Sequence, residues 1–112
     1  RETPKVEKVK QFLKAEEQLF TNPLTIAELT QWADKNALDT PPILAFVYAN
    51  SELLGLSSDL LELSGKRYNI LRLVKQKIGM IDVIIYVSAF TYGFSLLTSD
   101  SDFAGLPFVE ML

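Results

Sequence analysis

The sequence predicts an α/β fold in which a parallel sheet is covered by helices on both faces. Short apolar runs that read as strands alternate with longer stretches of helical periodicity. Strands separated by helices pair in parallel rather than as hairpins. The chain's 112 residues and 48% hydrophobic content suit one domain, residues 1–112, with a core of useful size.

Thr3 and Pro4 read as the cap and first position of a helix, with Val6, Val9, Phe12 and Leu13 on one face among lysines and glutamates. Leu19 to Leu24 reads as a short strand despite Pro23. Thr25-Ile26-Ala27-Glu28 then opens a helix carrying Leu29, Trp32 and Ala33 toward Asn36. Pro41 and Pro42 restart the chain as a helix from Ile43 to near Asn50. Glu52 to Leu56 is the next strand, and Ser57 or Ser58 caps a helix reaching to near Tyr68. A loop with Lys75, Lys77 and Gly79 leads into a helix from Ile81 to Tyr92, which Gly93 ends. Phe94 to Thr98 forms a strand, and Phe108 to Met111 a short last one.

The segment Ile78 to Leu97 is nearly apolar and about as long as a membrane span. Asp82 and Gly93 within it, and the change from helix-like to strand-like residues, favour a buried helix followed by a core strand. The charged, amphipathic N-terminus does not read as a signal peptide. A soluble cytoplasmic protein with no membrane partner is expected.

Composition narrows the chemistry. A net charge of −3 argues against broad nonspecific attraction to nucleic acid but allows a local basic patch. Without cysteine there are no disulfides, thiolate nucleophiles or cysteine-ligated zinc. Without histidine the usual general base and the imidazole ligand are gone too, leaving carboxylates, lysine, hydroxyls and a bound metal. Any hydrolysis by this chain should depend on a metal.

The acids point to a site for one. Asp82, within Gly79 to Ile85, and Asp100 and Asp102, within Leu96 to Phe103, stand among apolar or small residues where elements begin or end. Acids brought within a few ångströms repel by roughly 4 kcal/mol per pair at an intermediate dielectric, so their convergence implies a cation. In open parallel sheets ligands bind beyond the carboxyl ends of strands, which is where Glu28, Asp100 and Asp102 are expected. Each acid also has a plainer explanation: Glu28 as the partner of Thr25 in a capping box, Asp82 opposing a helix dipole, Asp100 or Asp102 as a turn or cap. Their conjunction carries the functional reading.

Between Glu62 and Asp82 lie Lys66, Arg67, Arg72, Lys75 and Lys77 with no acid among them. The plain reading is a solvated loop beside a helix. The functional one is attraction of a phosphate backbone that the carboxylates alone would repel. Tyr68 and Trp32 read as packing residues rather than base-stacking platforms.

The chain resembles the PIN-domain nucleases, especially the small VapC-type toxins of prokaryotic toxin–antitoxin pairs. Leu24-Thr25-Ile26-Ala27-Glu28-Leu29 is similar to that family's strand-to-helix segment with its acid. Ile78-Gly79-Met80-Ile81-Asp82-Val83-Ile84-Ile85 resembles its glycine, aspartate and aliphatic helix start, and Leu97-Thr98-Ser99-Asp100-Ser101-Asp102-Phe103 its closing acidic motif.

The resemblance implies a three-layer PIN-like α/β fold and a Mg2+- or Mn2+-dependent ribonuclease acting on single-stranded RNA. It also implies frequent homodimers and, often, an inhibitory antitoxin. Glu28, Asp82 and Asp100 would hold the ion or ions, Asp102 would add a further acid, and Thr98 would orient phosphate, water or a carboxylate. Lys75 and Lys77 would meet the substrate. The family begins with a central strand ending in a metal-binding aspartate, so such a strand is expected upstream of Arg1. A homodimer is also expected because Val83, Tyr86, Val87 and Phe90 are left over once Ile81, Ile84, Ile85, Ala89 and Tyr92 face the sheet. Two other readings compete: a catalytically inactive RNA- or protein-binding module, and a phosphate-receiving regulatory α/β domain.

Overall fold

The computed structural model describes residues 4–14 and 18–112, and the chain divides into two units, Arg1–Gly55 and Leu56–Leu112. The N-terminal unit contains α1 (Pro4–Lys14), β1 (Phe20–Thr21), α2 (Pro23–Lys35), α3 (Thr40–Asn50) and β2 (Glu52–Leu53). The C-terminal unit contains α4 (Ser58–Val74), α5 (Met80–Thr91), β3 (Leu96–Thr98), a 3-10 turn (Ser101–Phe103) and β4 (Val109–Met111). The α/β class and the parallel pairing are as the alternation of elements predicts. The pairing takes the form of two two-stranded ladders: Phe20 and Thr21 face Glu52 and Leu53 in the first unit, and Leu96 to Thr98 face Val109 to Met111 in the second.

In the N-terminal unit, Thr3 lies outside the described residues, as do the side-chain placements of Val6, Val9, Phe12 and Leu13 on α1. The strand expected to reach Leu24 stops at Thr21, because Asn22 and Pro23 start a helix instead. Asn22 Oδ1 accepts the Leu24 N–H at 3.0 Å, and Pro23 occupies a first-turn position where its missing N–H is no loss. Glu28 therefore sits inside α2 rather than in a capping box, and Ala33 is the helix's fully buried residue. The ladder continues past the strands through Glu52 N–H to Leu19 O and Leu54 N–H to Thr21 O, both 3.0 Å.

In the C-terminal unit, α4 begins where expected, with Ser57 Oγ accepting the Leu60 N–H at 3.2 Å. It runs on to Val74 rather than ending near Tyr68. Leu63, Tyr68 and Leu71 recur at spacings of five and three, and all pack on the core. That core is a cluster of Ile78, Val83, Tyr86, Val87 and Phe103. α5 packs against α4, and Ser64 and Ser88, both fully buried, satisfy their hydroxyls on the carbonyls of Leu60 and Ile84 in their own helices. Tyr86 buries its ring and donates its hydroxyl to Pro107 O at 2.9 Å.

The faces of α5 differ from the expected division. Val83, Tyr86 and Val87 were expected to be left over, yet they form the heart of the unit's core. Its large exposed apolar side chains are Met80, Ile81 and Phe90, with Tyr92 exposed at its C-cap. The helix is apolar nearly all round because this chain covers most of it. Gly93 ends it at φ +76°, a left-handed turn that places Gly93 N–H on Phe90 O (3.0 Å) and Phe94 N–H on Ala89 O (2.8 Å). Among the described residues no helix is long and apolar enough to cross a membrane.

Ile78 is fully buried in the cluster, so Ile78→Ala should cost about 2–5 kcal/mol through lost transfer energy and an incompletely filled cavity. Urea denaturation measures this, and an unchanged midpoint would mean that the cluster does not organise the unit.

Candidate metal centre

Apolar burial places the acids. Val83 and Phe103 belong to one core cluster, and each is bonded in sequence to an acid, Asp82 and Asp102. Asp82 stands in the first turn of α5, where Oδ2 accepts the Gly79 N–H at 3.3 Å. Glycine has no side chain to return the bond, so only this half of a reciprocal cap exists. β3 ends at Thr98, whose Oγ1 accepts the Asp100 N–H at 3.1 Å. Asp100 Oδ1 then accepts the Asp102 N–H at 2.9 Å and caps the 3-10 turn that buries Phe103.

Each acid thus has the plain role that sequence alone suggested for it. They nonetheless converge: one carboxylate oxygen from each of Asp82, Asp100 and Asp102 lies within 4.8 Å of the other two. Asp82 and Asp102 are half-buried and Asp100 is exposed. Burial raises the Asp82 carboxyl above its ordinary value. The Gly79 N–H partly offsets this, and the negative charges of Asp100 and Asp102 raise it further.

The donor set fits a hard divalent cation. Three carboxylates supply oxygen ligands and negative charge, which hard divalent cations favour over softer sulfur and nitrogen donors. With metal–oxygen distances of about 2.0–2.1 Å, ligand oxygens around an octahedral ion stand about 3 Å apart where adjacent and about 4 Å where opposed. Oxygens that lie within 4.8 Å of one another would close in on the ion by side-chain rotation to reach that spacing. A cation would also relieve the repulsion that helps raise Asp82.

Glu28 lies on α2 of the N-terminal unit, exposed. Thr98 touches the acidic turn through Asp100. Lys75 and Lys77 lie in the loop before α5, Lys77 exposed and Lys75 half-buried, with the Lys75 backbone N–H closing α4 on Leu71 O at 2.7 Å.

Two residues were read too simply. Asn22 is the cap of α2, which its position before Pro23 could have signalled. Arg72, counted in the basic interval, bonds Tyr68 Oη at 3.0 Å and Ile78 O at 3.2 Å. The Tyr68/Arg72 spacing of one helical turn was the available signal for the first of these contacts.

The PIN domain family model matches residues 1–109. The fold is similar to a chain in a solved toxin–antitoxin complex from Klebsiella pneumoniae, with a TM-score of 0.67 and 24% identity over 94% of this chain and 83% of that one. No curated protein matches the sequence.

The raised Asp82 carboxyl has a consequence for stability. The folded state holds this proton more tightly than the unfolded chain, so ionisation costs stability. That cost is absent below the ordinary carboxylate value and complete once pH has passed the raised one. Asp82→Asn keeps an acceptor for Gly79 and removes the charge. In metal-free buffer it should raise the urea midpoint at pH 7, with the gain closing as pH falls to 3.5. A loss of stability at pH 7 would contradict the electrostatic account.

Proposed function

The chain belongs to the PIN domain family, and on that premise we propose that it is a Mg2+- or Mn2+-dependent endoribonuclease cleaving single-stranded RNA, the toxin of a toxin–antitoxin pair. PIN domains are generally nucleases. The observation that carries the proposal is the convergence of Asp82, Asp100 and Asp102 in a chain with neither histidine nor cysteine. Such a chain has few other means of activating water.

In this reading Asp82, Asp100 and Asp102 hold the ion. Thr98 fixes the Asp100 backbone and so orients the acidic turn. When bound, the ion supplies charge neutralisation at the phosphoryl group and a lowered pKa for attacking water. Lys75 and Lys77 draw the phosphate backbone toward the acids, since ammonium groups donate to phosphate and cannot ligate a cation.

For partners we propose an antitoxin and a second copy of this chain. The structural neighbour, which comes from a toxin–antitoxin complex, supports the first. The exposed edge-to-face pair Phe90 and Phe108, 5.5 Å between ring centres, supports the second; of the four α5 residues first expected to do so, Phe90 is the one that stays exposed. Size measurement across a wide dilution range checks the homodimer, and a particle that stays monomeric at high concentration rules it out.

The protein should cleave single-stranded RNA with Mg2+ or Mn2+, and EDTA should stop it. Asp82→Asn and Asp100→Asn should each lower the rate by about two orders of magnitude or more. Alanine at both Lys75 and Lys77 should weaken RNA association and flatten its salt dependence. Cleavage retained in a folded Asp82→Asn, Asp100→Asn double variant would refute the site. RNA binding without cleavage by the wild type would instead favour the inactive binding module.

A further inference from the structure

We infer that Arg72 is a positioning residue for Asp82, acting through the peptide group between Ile78 and Gly79; the inference rests on the metal-site reading above. Arg72 stands in the last turn of α4. Its guanidinium lies over the Tyr68 ring, 5.5 Å from the centroid, and Nη1 donates to Tyr68 Oη at 3.0 Å and to Ile78 O at 3.2 Å. Tyr68 packs against the core cluster, so the guanidinium is held from behind by a ring that is itself anchored.

The carbonyl that receives this proton belongs to the same peptide group as the Gly79 N–H, which donates to Asp82 Oδ2 at 3.3 Å. A trans peptide is planar, with its C=O and N–H pointing in opposite directions, so fixing one end sets the aim of the other. A cationic donor on the oxygen also polarises the group and strengthens its N–H as a donor. Arg72, the Ile78–Gly79 peptide and Asp82 therefore form a chain of hydrogen bonds from an anchored cation to a candidate ligand carboxylate.

Nothing else about Gly79 demands this conformation. Its φ is −92°, open to any residue, and an added Cβ would meet only Asp82 Oδ2, at an ordinary 3.8 Å. The turn is held by what bonds it. Ile78 is fully buried and fixes one side of the peptide in the core, while Arg72 fixes the direction of its carbonyl. The sequence places Arg72 in a basic run suited to meeting RNA; the structure turns it toward the backbone that carries Asp82.

The test uses the full chain and the variants Arg72→Met, which keeps the apolar stem, and Arg72→Lys, which keeps the charge and one usable donor. Mn2+ affinity is read by calorimetry, Gly79 amide exchange by NMR, and global stability by urea denaturation. Arg72→Met should weaken Mn2+ binding about tenfold, the low end of the effect of groups that orient metal ligands. It should also speed Gly79 exchange severalfold, with little change in the urea midpoint, and Arg72→Lys should recover part of both. Wild-type Mn2+ binding that Arg72→Met leaves unchanged overturns the positioning role alone. Losses that only track the urea midpoint reduce Arg72 to a structural contact and overturn it as well. A wild type that binds no Mn2+ fails the metal-site reading and this role together.

Discussion

Burial of Val83 and Phe103 in one apolar cluster is the constraint on which the candidate site depends. Each stands next to an acid, so packing two hydrophobic side chains draws Asp82 and Asp102 together whether or not their charges favour it. Full burial of a side chain of this size contributes about 1.5–3 kcal/mol, and Ile78, Tyr86 and Val87 join the same cluster. Acids that stay partly in water repel by well under the roughly 4 kcal/mol per pair of an intermediate dielectric. Burial wins, and Asp82 carries its cost: desolvation first, and then the charges of Asp100 and Asp102, raise its carboxyl above the ordinary value. The core thus assembles a charge arrangement that a cation would complete.

Local bonds then set the details. Asp100 caps the turn that buries Phe103 while contributing to the acidic cluster, so its plain and functional readings describe one geometry rather than two alternatives. The same holds for Asp82, which accepts a bond from the first turn of α5 and still has a carboxylate oxygen near the other acids. A carboxylate with two oxygens can serve a backbone N–H and a cation together, which makes capping acids economical ligands.

Much of this was legible in the sequence because it depends on local pattern. The cap at Ser57, a helix start near Ile81, the stop at Gly93 and the acids at element boundaries all follow from short-range rules, while Gly79, left to the loop by those rules, is the cap of α5. The misreadings came where two rules competed. At Asn22 and Pro23, strand-like neighbours concealed a cap and a first-turn proline. At Asn69 to Val74, continued packing of Leu71 carried α4 past its expected end. The faces of α5 could not be assigned from its own residues, since a helix apolar on every side gives no moment; α4 and the Phe103 turn decide which side is inside. Arg72 shows the same limit, because its contact with Ile78 O depends on how the chain turns after Val74.

The direct measurement is an anomalous difference map from crystals soaked in MnCl2. The account predicts a peak bonded by carboxylate oxygens of Asp82, Asp100 and Asp102, at about 2.1–2.2 Å for a Mn2+-sized ion, and its loss in Asp100→Asn. No peak among these side chains in a soak that labels other sites, or a peak that survives Asp100→Asn unchanged, would contradict it.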